Sequence, residues 1–130
     1  MRQMTSANGT KNFKVDEFKC KCGCGGNEID QRVINMCQRI RDEIGAPIRI
    51  NSGYRCAKHN MRVGGVKNSY HTKGLAADLS SEKGALVLWS AIQKLWKENQ
   101  LEDLSYAIKY KNFVHIDCGG KRGNVFEVRV

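Results

Sequence analysis

Two histidines and one aspartate lie in two short apolar runs that are far apart in the chain. His71 and Asp78 fall within residues 69–79, and His115 falls within residues 113–117. Two imidazoles and one carboxylate form a ligand set for a catalytic zinc ion whose fourth position is left to water. A fold that uses all three groups must bring these two runs side by side, which constrains the chain more than any other feature of its sequence.

The alternation of side chains along each run indicates which groups can meet. In an extended strand, Asp78 shares a face with the small residue Ala76, which leaves room for an ion and a ligand. His115 and Asp117 are two residues apart and therefore project from one face of their own strand. A metal site forms if His71 reaches the same side. The chain has no H-E-x-x-H zinc motif. The spacing alone therefore also fits histidines that bind no metal.

Apolar residues at three- and four-residue steps predict two main helices. The first spans about residues 30–44, with Asp30 as its N-cap and Gly45 as its C-cap. The second spans about residues 82–99 and can be capped by the serine pair 80–81. A short helix is also predicted between them, over residues 56–63.

Runs of alternating or β-branched residues predict strands at residues 48–52, 75–79, 105–110, 113–117 and 124–130. We expect the last three to form an antiparallel meander. Helices and strands in blocks, without repeating βαβ units, indicate an α+β fold. We therefore predict a small antiparallel sheet that carries the metal site and packs against two main helices. Residues 1–11 are expected to be a flexible N-terminal arm, and residues 12–130 a single domain.

A formal net charge of +9 suggests a polyanionic partner such as nucleic acid, an anionic membrane or bacterial envelope polymers, and solvated basic faces that only aid solubility are the alternative. The basic residues are scattered in runs no longer than two, so we expect no nucleic-acid partner. No apolar run approaches the roughly 20 residues that cross a bilayer, so no membrane insertion is expected. The first residues do not resemble a signal peptide, which predicts synthesis in the cytoplasm. We expect a monomer.

Six cysteines are unusual for a chain made in the cytoplasm. Cys20, Cys22 and Cys24 alternate with other residues, whereas zinc ribbons and knuckles use C-x-x-C spacing. We expect reduced thiols or an adventitious disulfide, and a second, structural metal site at these three residues is the alternative. The other cysteines are Cys37, Cys56 and Cys118.

Several short motifs lie between residues 52 and 117: Ser52-Gly53-Tyr54-Arg55, Asn60, Val63-Gly64-Gly65, Ser69-x-His71-x-x-Gly74-x-Ala76-Ala77-Asp78 and Val114-His115-Ile116-Asp117. Together they resemble the zinc D-alanyl-D-alanine carboxypeptidase family of murein peptidases. The segment Phe18-x-Cys20-x-Cys22-Gly23-Cys24 also resembles a phage and prophage branch of that family.

The resemblance implies a hedgehog-like fold and one Zn²⁺ cofactor bound by His71, Asp78 and His115. It implies that Arg55 orients the substrate or stabilises the oxyanion, a role suited to the fixed fork of a guanidinium group. Ser69 would hydrogen-bond the substrate or support a metal ligand.

The chain departs from the family at the general base. Some branches place an acidic residue three positions before the last zinc histidine, where this chain has Asn112. Others place a histidine two positions before it, where this chain has Phe113. Asp117 is the remaining candidate base, with the alternative that it only orients a zinc-binding histidine.

These features predict a zinc metallopeptidase, either a carboxypeptidase or an endopeptidase, that hydrolyses an amide bond in peptidoglycan stem peptides or cross-links. The branch resemblance favours a phage or prophage endolysin that reaches the cell wall after holin-type release. One alternative is a zinc-containing cell-wall-binding module with weak or no catalysis. A third hypothesis, a nucleic-acid binder, rests on the net charge of +9.

Overall fold

The structure, a computed structural model, describes residues 5–120 and 123–129. Within them the chain forms three α-helices, five β-strands and two short 3-10 helices. The α-helices are α1 (Gln31–Ile44), α2 (Ala57–Arg62) and α3 (Ala85–Lys97). The strands are β1 (Arg49–Ser52), β2 (Ala76–Ser80), β3 (Tyr106–Lys109), β4 (Val114–Asp117) and β5 (Phe126–Val128). The 3-10 helices are η1 (Val15–Phe18) and η2 (Tyr70–Lys73).

The strands form one five-stranded sheet in the order β1-β2-β4-β3-β5. The predicted α+β class with a small sheet is confirmed. Four strands pair antiparallel, but β5 runs parallel to β3, so the predicted antiparallel meander is wrong for the last strand. The reason is that β2 and β3 already occupy both edges of β4. The chain reverses direction after β4 and pairs with the open edge of β3, which makes β5 parallel to that strand.

Helix α1 follows the sequence prediction at both ends. The Asp30 carboxylate accepts a hydrogen bond from the Arg32 amide at 2.9 Å and caps the first turn. Gly45 ends the helix with a left-handed φ of 64°, a conformation that costs glycine little. The inward face carries the apolar side chains Val33, Ile34, Met36, Cys37, Ile40 and Ile44.

Helix α3 begins later than predicted, and the serine pair 80–81 does not cap it. The Ser81 hydroxyl instead accepts a hydrogen bond from the Lys83 amide at 3.1 Å, in a turn that precedes the helix. The N-cap is Gly84, whose φ of 92° turns the chain into the first helical residue, Ala85. The short helix α2 is confirmed, with the Cys56 thiol as its N-cap.

The hydrophobic core lies between the sheet and the pair α1 and α3, which pack against each other. Leu79 from β2 and Ile116 from β4 are fully buried in this core. Burying each such side chain contributes roughly 1.5–3 kcal/mol. Because side chains alternate across a strand, these core residues leave Asp78 and His115 to project from the other face of the sheet.

The described part of the predicted arm, residues 5–11, is hydrogen-bonded to α1. The Asn8 amide donates to the Gln31 side chain at 2.7 Å, and that side chain donates back to the Asn8 carbonyl at 3.0 Å. Thr10 donates to Gln38 at 2.8 Å. The division into an arm and one domain stays a prediction. Among the described residues, no helix has the length and apolar character needed to span a membrane.

Candidate active site

The three predicted metal ligands come together on the open face of the sheet. Asp78 on β2 lies directly opposite His115 on β4, and η2 supplies His71. Their ligand atoms all lie within 4.8 Å of one another. Asp78 Oδ1 is 3.0 Å from His115 Nδ1 and 3.3 Å from His71 Nε2. Strand pairing thus joins two parts of the chain that are 37 residues apart.

Each imidazole is fixed through its other ring nitrogen. His71 Nδ1 donates to the Gly53 carbonyl at 2.7 Å, which leaves Nε2 facing Asp78. His115 Nε2 donates to Asp117 Oδ2 at 2.9 Å, which leaves Nδ1 facing Asp78. Histidines that bind metals in proteins are held in this way, because the second hydrogen bond sets the tautomer and the ring orientation. Two imidazole nitrogens and a carboxylate oxygen suit Zn²⁺, so the residues fit the implied ion.

The same contacts determine the protonation of the metal-free site. Burial raises the pKa of Asp78, but hydrogen bonds from His115 and His71 outweigh burial and hold that pKa well below its usual range. Burial lowers the pKa of His115, but hydrogen bonds to Asp117 and Asp78 outweigh it and raise the pKa to about 9. A proton on His115 therefore occupies the position that a metal ion would take.

The site lies at a cleft of about 410 Å³ whose walls are aromatic and basic. Tyr70, Tyr106 and Tyr110 line this cleft, and Arg129 reaches it from the segment after β5. Sequence reasoning missed Tyr106 and Tyr110 because their placement depends on β3 lying beside β4. The period-two pattern shared by Tyr106 and Tyr110 could have indicated a common face, but not which strand they would pair with.

Arg55, the predicted substrate-binding cation, also lines the cleft. Its backbone amide donates to the His71 carbonyl at 3.0 Å. Burial lowers the pKa of the guanidinium, and the charge of Asp78 opposes that effect. Arg55 Nε is buried and has no hydrogen-bond partner within residues 5–120 and 123–129. Gly65 leaves the room this side chain needs, since a Cβ there would lie 2.9 Å from Arg55 Nη1.

Ser69 and Asp117 both contact the histidine segments. The Ser69 hydroxyl caps η2 by accepting a hydrogen bond from the His71 amide at 3.2 Å, and Ser69 also lines the cleft. Asp117 is 1% exposed, and its carboxylate is bound to His115. Phe113 stacks on Tyr110 with ring centroids 4.5 Å apart, so it adds to the aromatic wall.

The sequence matches the family model of Peptidase M15 over residues 11–117. The chain therefore belongs to the Peptidase M15 family, whose members are typically metal-dependent. It is also similar to the peptidoglycan L,D-endopeptidase MepK of Escherichia coli K12, with 35% identity over 101 residues that cover 72% of this chain and 53% of the relative. The same values hold for MepK of Escherichia coli O157:H7 and of Shigella flexneri. The chain spans about half the length of these curated relatives.

Proposed function

We propose that this protein is a zinc metallopeptidase that hydrolyses an amide bond in peptidoglycan peptides. The observation that carries this proposal is the convergence of His71, Asp78 and His115 at an open cleft, with each imidazole fixed through its second nitrogen. Membership of a peptidase family and the likeness to MepK support the reaction and the substrate class.

His71, Asp78 and His115 would hold the ion. Zinc bound by such a set supplies Lewis-acid chemistry, because it acidifies water and polarises the carbonyl of a nearby amide. Arg55 orients the substrate by binding its carboxylate or carbonyl oxygen, and it stabilises the negative charge that develops there during attack. The burial of its Nε without a protein partner among the described residues supports this role.

Asp117 acts as a positioning residue for His115 in this proposal. Its burial and its hydrogen bond to His115 Nε2 favour this role over that of a base that takes a proton from water in the cleft. Ser69 positions His71 through the cap of η2, and its hydroxyl can still donate to a bound peptide.

The likeness to an L,D-endopeptidase favours cleavage of an L,D bond over a D,D bond. Endopeptidase action is accordingly the first choice, and carboxypeptidase action the second. The basic net charge and the arginines at the cleft suit peptides that carry free carboxylates. An endolysin role with holin-type release remains a prediction from the sequence motifs.

The test is digestion of isolated murein by the purified protein, with mass spectrometry of the released fragments. We expect soluble peptides whose new ends identify the cleaved bond, and no release after treatment with a chelator. His71→Ala should abolish release, whereas His59→Ala, which changes the histidine that is not a candidate metal ligand, should leave it intact. Equal release by the His71→Ala variant would rule out the zinc mechanism.

A second candidate is a metal-holding cell-wall-binding module that releases no peptides. It is favoured by the burial of Asp117 and by Asn112 and Phe113 at the positions where the resemblance expects a base. Such a module would sediment with murein and retain zinc, while mass spectrometry would detect no new fragments. Release of peptides that depends on His71 would eliminate this candidate.

A further inference from the structure

Four cysteine thiols form a second cluster, separate from His71, Asp78 and His115. The sulfurs of Cys20, Cys22, Cys24 and Cys56 all lie within 4.8 Å of one another. Cys22 Sγ is 3.4 Å from Cys20 Sγ and 3.6 Å from Cys56 Sγ. These distances far exceed the S–S bond of about 2.0 Å in a disulfide. They approach the separation of about 3.8 Å that follows from tetrahedral geometry with Zn–S bonds of about 2.3 Å.

Backbone amides point at three of these sulfurs. The Cys56 amide donates to Cys20 Sγ at 3.4 Å, and the His59 amide donates to Cys56 Sγ at 3.4 Å. The Gly26 amide donates to Cys24 Sγ at 3.3 Å. Amide donors to sulfur favour the thiolate over the thiol and orient its lone pairs, as they do around metal-bound cysteines.

The glycines of the loop explain how the C-x-C-x-C spacing produces this cluster. Gly23 and Gly25 flank Cys24 with φ values of 87° and 78°, a conformation that other residues rarely adopt. The loop therefore folds back tightly enough for three cysteines within five residues to face one point. Cys56, which is distant in sequence, completes a set of four that the spacing of the first three could not reveal.

We propose that Cys20, Cys22, Cys24 and Cys56 form a structural tetrathiolate Zn²⁺ site. Four thiolates complete a tetrahedral shell and leave no position for water or substrate, which is typical of a structural site. Soft sulfur ligands in this geometry select Zn²⁺ or iron, and zinc is the ion we assign. This proposal takes up the alternative of a second metal site and adds Cys56 to its ligands, while the cysteines are free in the structure, as reduced thiols would be.

The site connects the cysteine loop to the segment that serves the candidate active site. Cys56 follows Arg55 directly, and Gly53 nearby supplies the carbonyl that holds His71. The last residue of η1, just before the loop, also contacts this segment: the Phe18 carbonyl accepts a hydrogen bond from the Tyr54 amide at 2.8 Å. A metal ion at the cysteines would thus fix the backbone on which Arg55 is mounted. This inference does not depend on the proposed function.

The direct test is to replace the metal bound to the full chain with Co²⁺ and to record the absorption spectrum. Thiolate ligands give intense sulfur-to-cobalt charge-transfer bands in the near ultraviolet, which histidine and carboxylate ligands do not produce. We expect these bands in the unmodified protein and in the His71→Ala variant. Their absence from a folded, cobalt-treated protein would overturn the proposal without the use of any cysteine variant.

Variants identify the residues that give rise to the charge-transfer bands, and elemental analysis identifies the ion. Cys22→Ser combined with Cys24→Ser should remove the charge-transfer bands, whereas Cys118→Ala, a buried cysteine outside the cluster, should retain them. Elemental analysis of the protein as purified should find two Zn²⁺ per chain, and one in the His71→Ala variant. If the histidine site holds no metal, the unmodified chain would contain one Zn²⁺ and still give the bands after exchange.

Two further results would contradict the assignment. Mass spectrometry that finds a disulfide among the four cysteines in freshly purified protein would exclude a tetrathiolate. Iron in place of zinc would contradict the assignment of the ion as Zn²⁺.

A further measurement is the rate of alkylation by iodoacetamide. Alkylation of these four cysteines should be at least tenfold slower in the zinc-loaded chain than after removal of the metal.

Discussion

His71 and His115 each have both ring nitrogens committed, one toward Asp78 and one toward an acceptor that fixes the ring. The acceptors differ, because His71 uses the Gly53 carbonyl and His115 uses the Asp117 carboxylate. A carboxylate raises the basicity of its histidine more than a neutral carbonyl does. The two histidines are therefore inequivalent, and the effects of substitutions at this site should differ accordingly.

Asp117→Asn tests whether this residue positions His115 or acts as a base. The amide keeps the shape but loses the charge, so a positioning role predicts zinc that binds about 10- to 100-fold more weakly. Competition with a chromophoric chelator measures that affinity. A base role instead predicts unchanged affinity with a large loss of kcat. Asp103→Asn, which changes a carboxylate outside the cleft, serves as the matched control.

Arg55→Lys tests the role of the guanidinium fork. Lysine keeps the positive charge but cannot bind a carboxylate or an oxyanion through two parallel hydrogen bonds. We expect kcat/KM on a murein peptide to fall by about 10²–10³, the range for loss of one oxyanion donor. Arg62→Lys, at an exposed position of α2, should change nothing. Unchanged kcat/KM in Arg55→Lys would exclude the assigned role.

The sequence predicts the elements that hold the site where a local pattern determines them. It does not predict them where their position depends on strand pairing. Alternation placed Asp78 and His115 on one side of their strands, and strand pairing brought them opposite each other. The N-cap of α3 was missed because Ser81 uses its hydroxyl in a preceding turn. Tyr106 and Arg129 were missed because the position of β3 and β5 in the sheet depends on which edges remain open, and a local pattern does not encode this.

The turn between α2 and η2 has a requirement for glycine that can be tested. A Cβ at Gly65 would lie 2.0 Å from Asn60 Oδ1 and 2.9 Å from Arg55 Nη1. Gly65→Ala must therefore displace the Asn60 side chain or the turn, and with them Arg55, so we expect a loss of about 1–3 kcal/mol in stability together with reduced kcat/KM. Denaturant titration and peptide release measure the two effects.

The matched control is Gly123→Ala, since a Cβ there meets no atom of the described residues within 4 Å. It should leave both stability and kcat/KM within error of the unmodified protein. If Gly65→Ala behaves like this control, the close approach of Arg55 to the turn does not matter for function.

Two separate clusters of candidate metal ligands both involve the short segment 53–56. The set His71, Asp78 and His115 faces the cleft and uses the Gly53 carbonyl, while the thiol cluster includes Cys56. The sheet supplies two ligands of the first cluster, and loops supply those of the second. The stability of the chain should therefore respond to metal and pH through both clusters, so a pH experiment must isolate one of them.

His115 allows that isolation in the metal-free protein. Its folded-state pKa of about 9 lies above the ordinary value of 6.5, so protonation favours the folded state. The contribution to stability is fully present below pH 6.5 and is lost as the pH rises through about 9. The shift corresponds to about 3 kcal/mol. His115→Gln removes the titrating group, and the cysteines, which lie outside this site, contribute equally to both proteins.

We therefore expect the difference in unfolding free energy between the unmodified chain and His115→Gln to fall by about 3 kcal/mol from pH 6 to pH 10. Urea titrations in the presence of a chelator measure this difference at each pH. Added Zn²⁺ should reverse the trend for the unmodified chain, because the ion displaces the proton and binds more tightly as the pH rises. A difference that stays constant with pH would mean that His115 is not held as an imidazolium between Asp78 and Asp117.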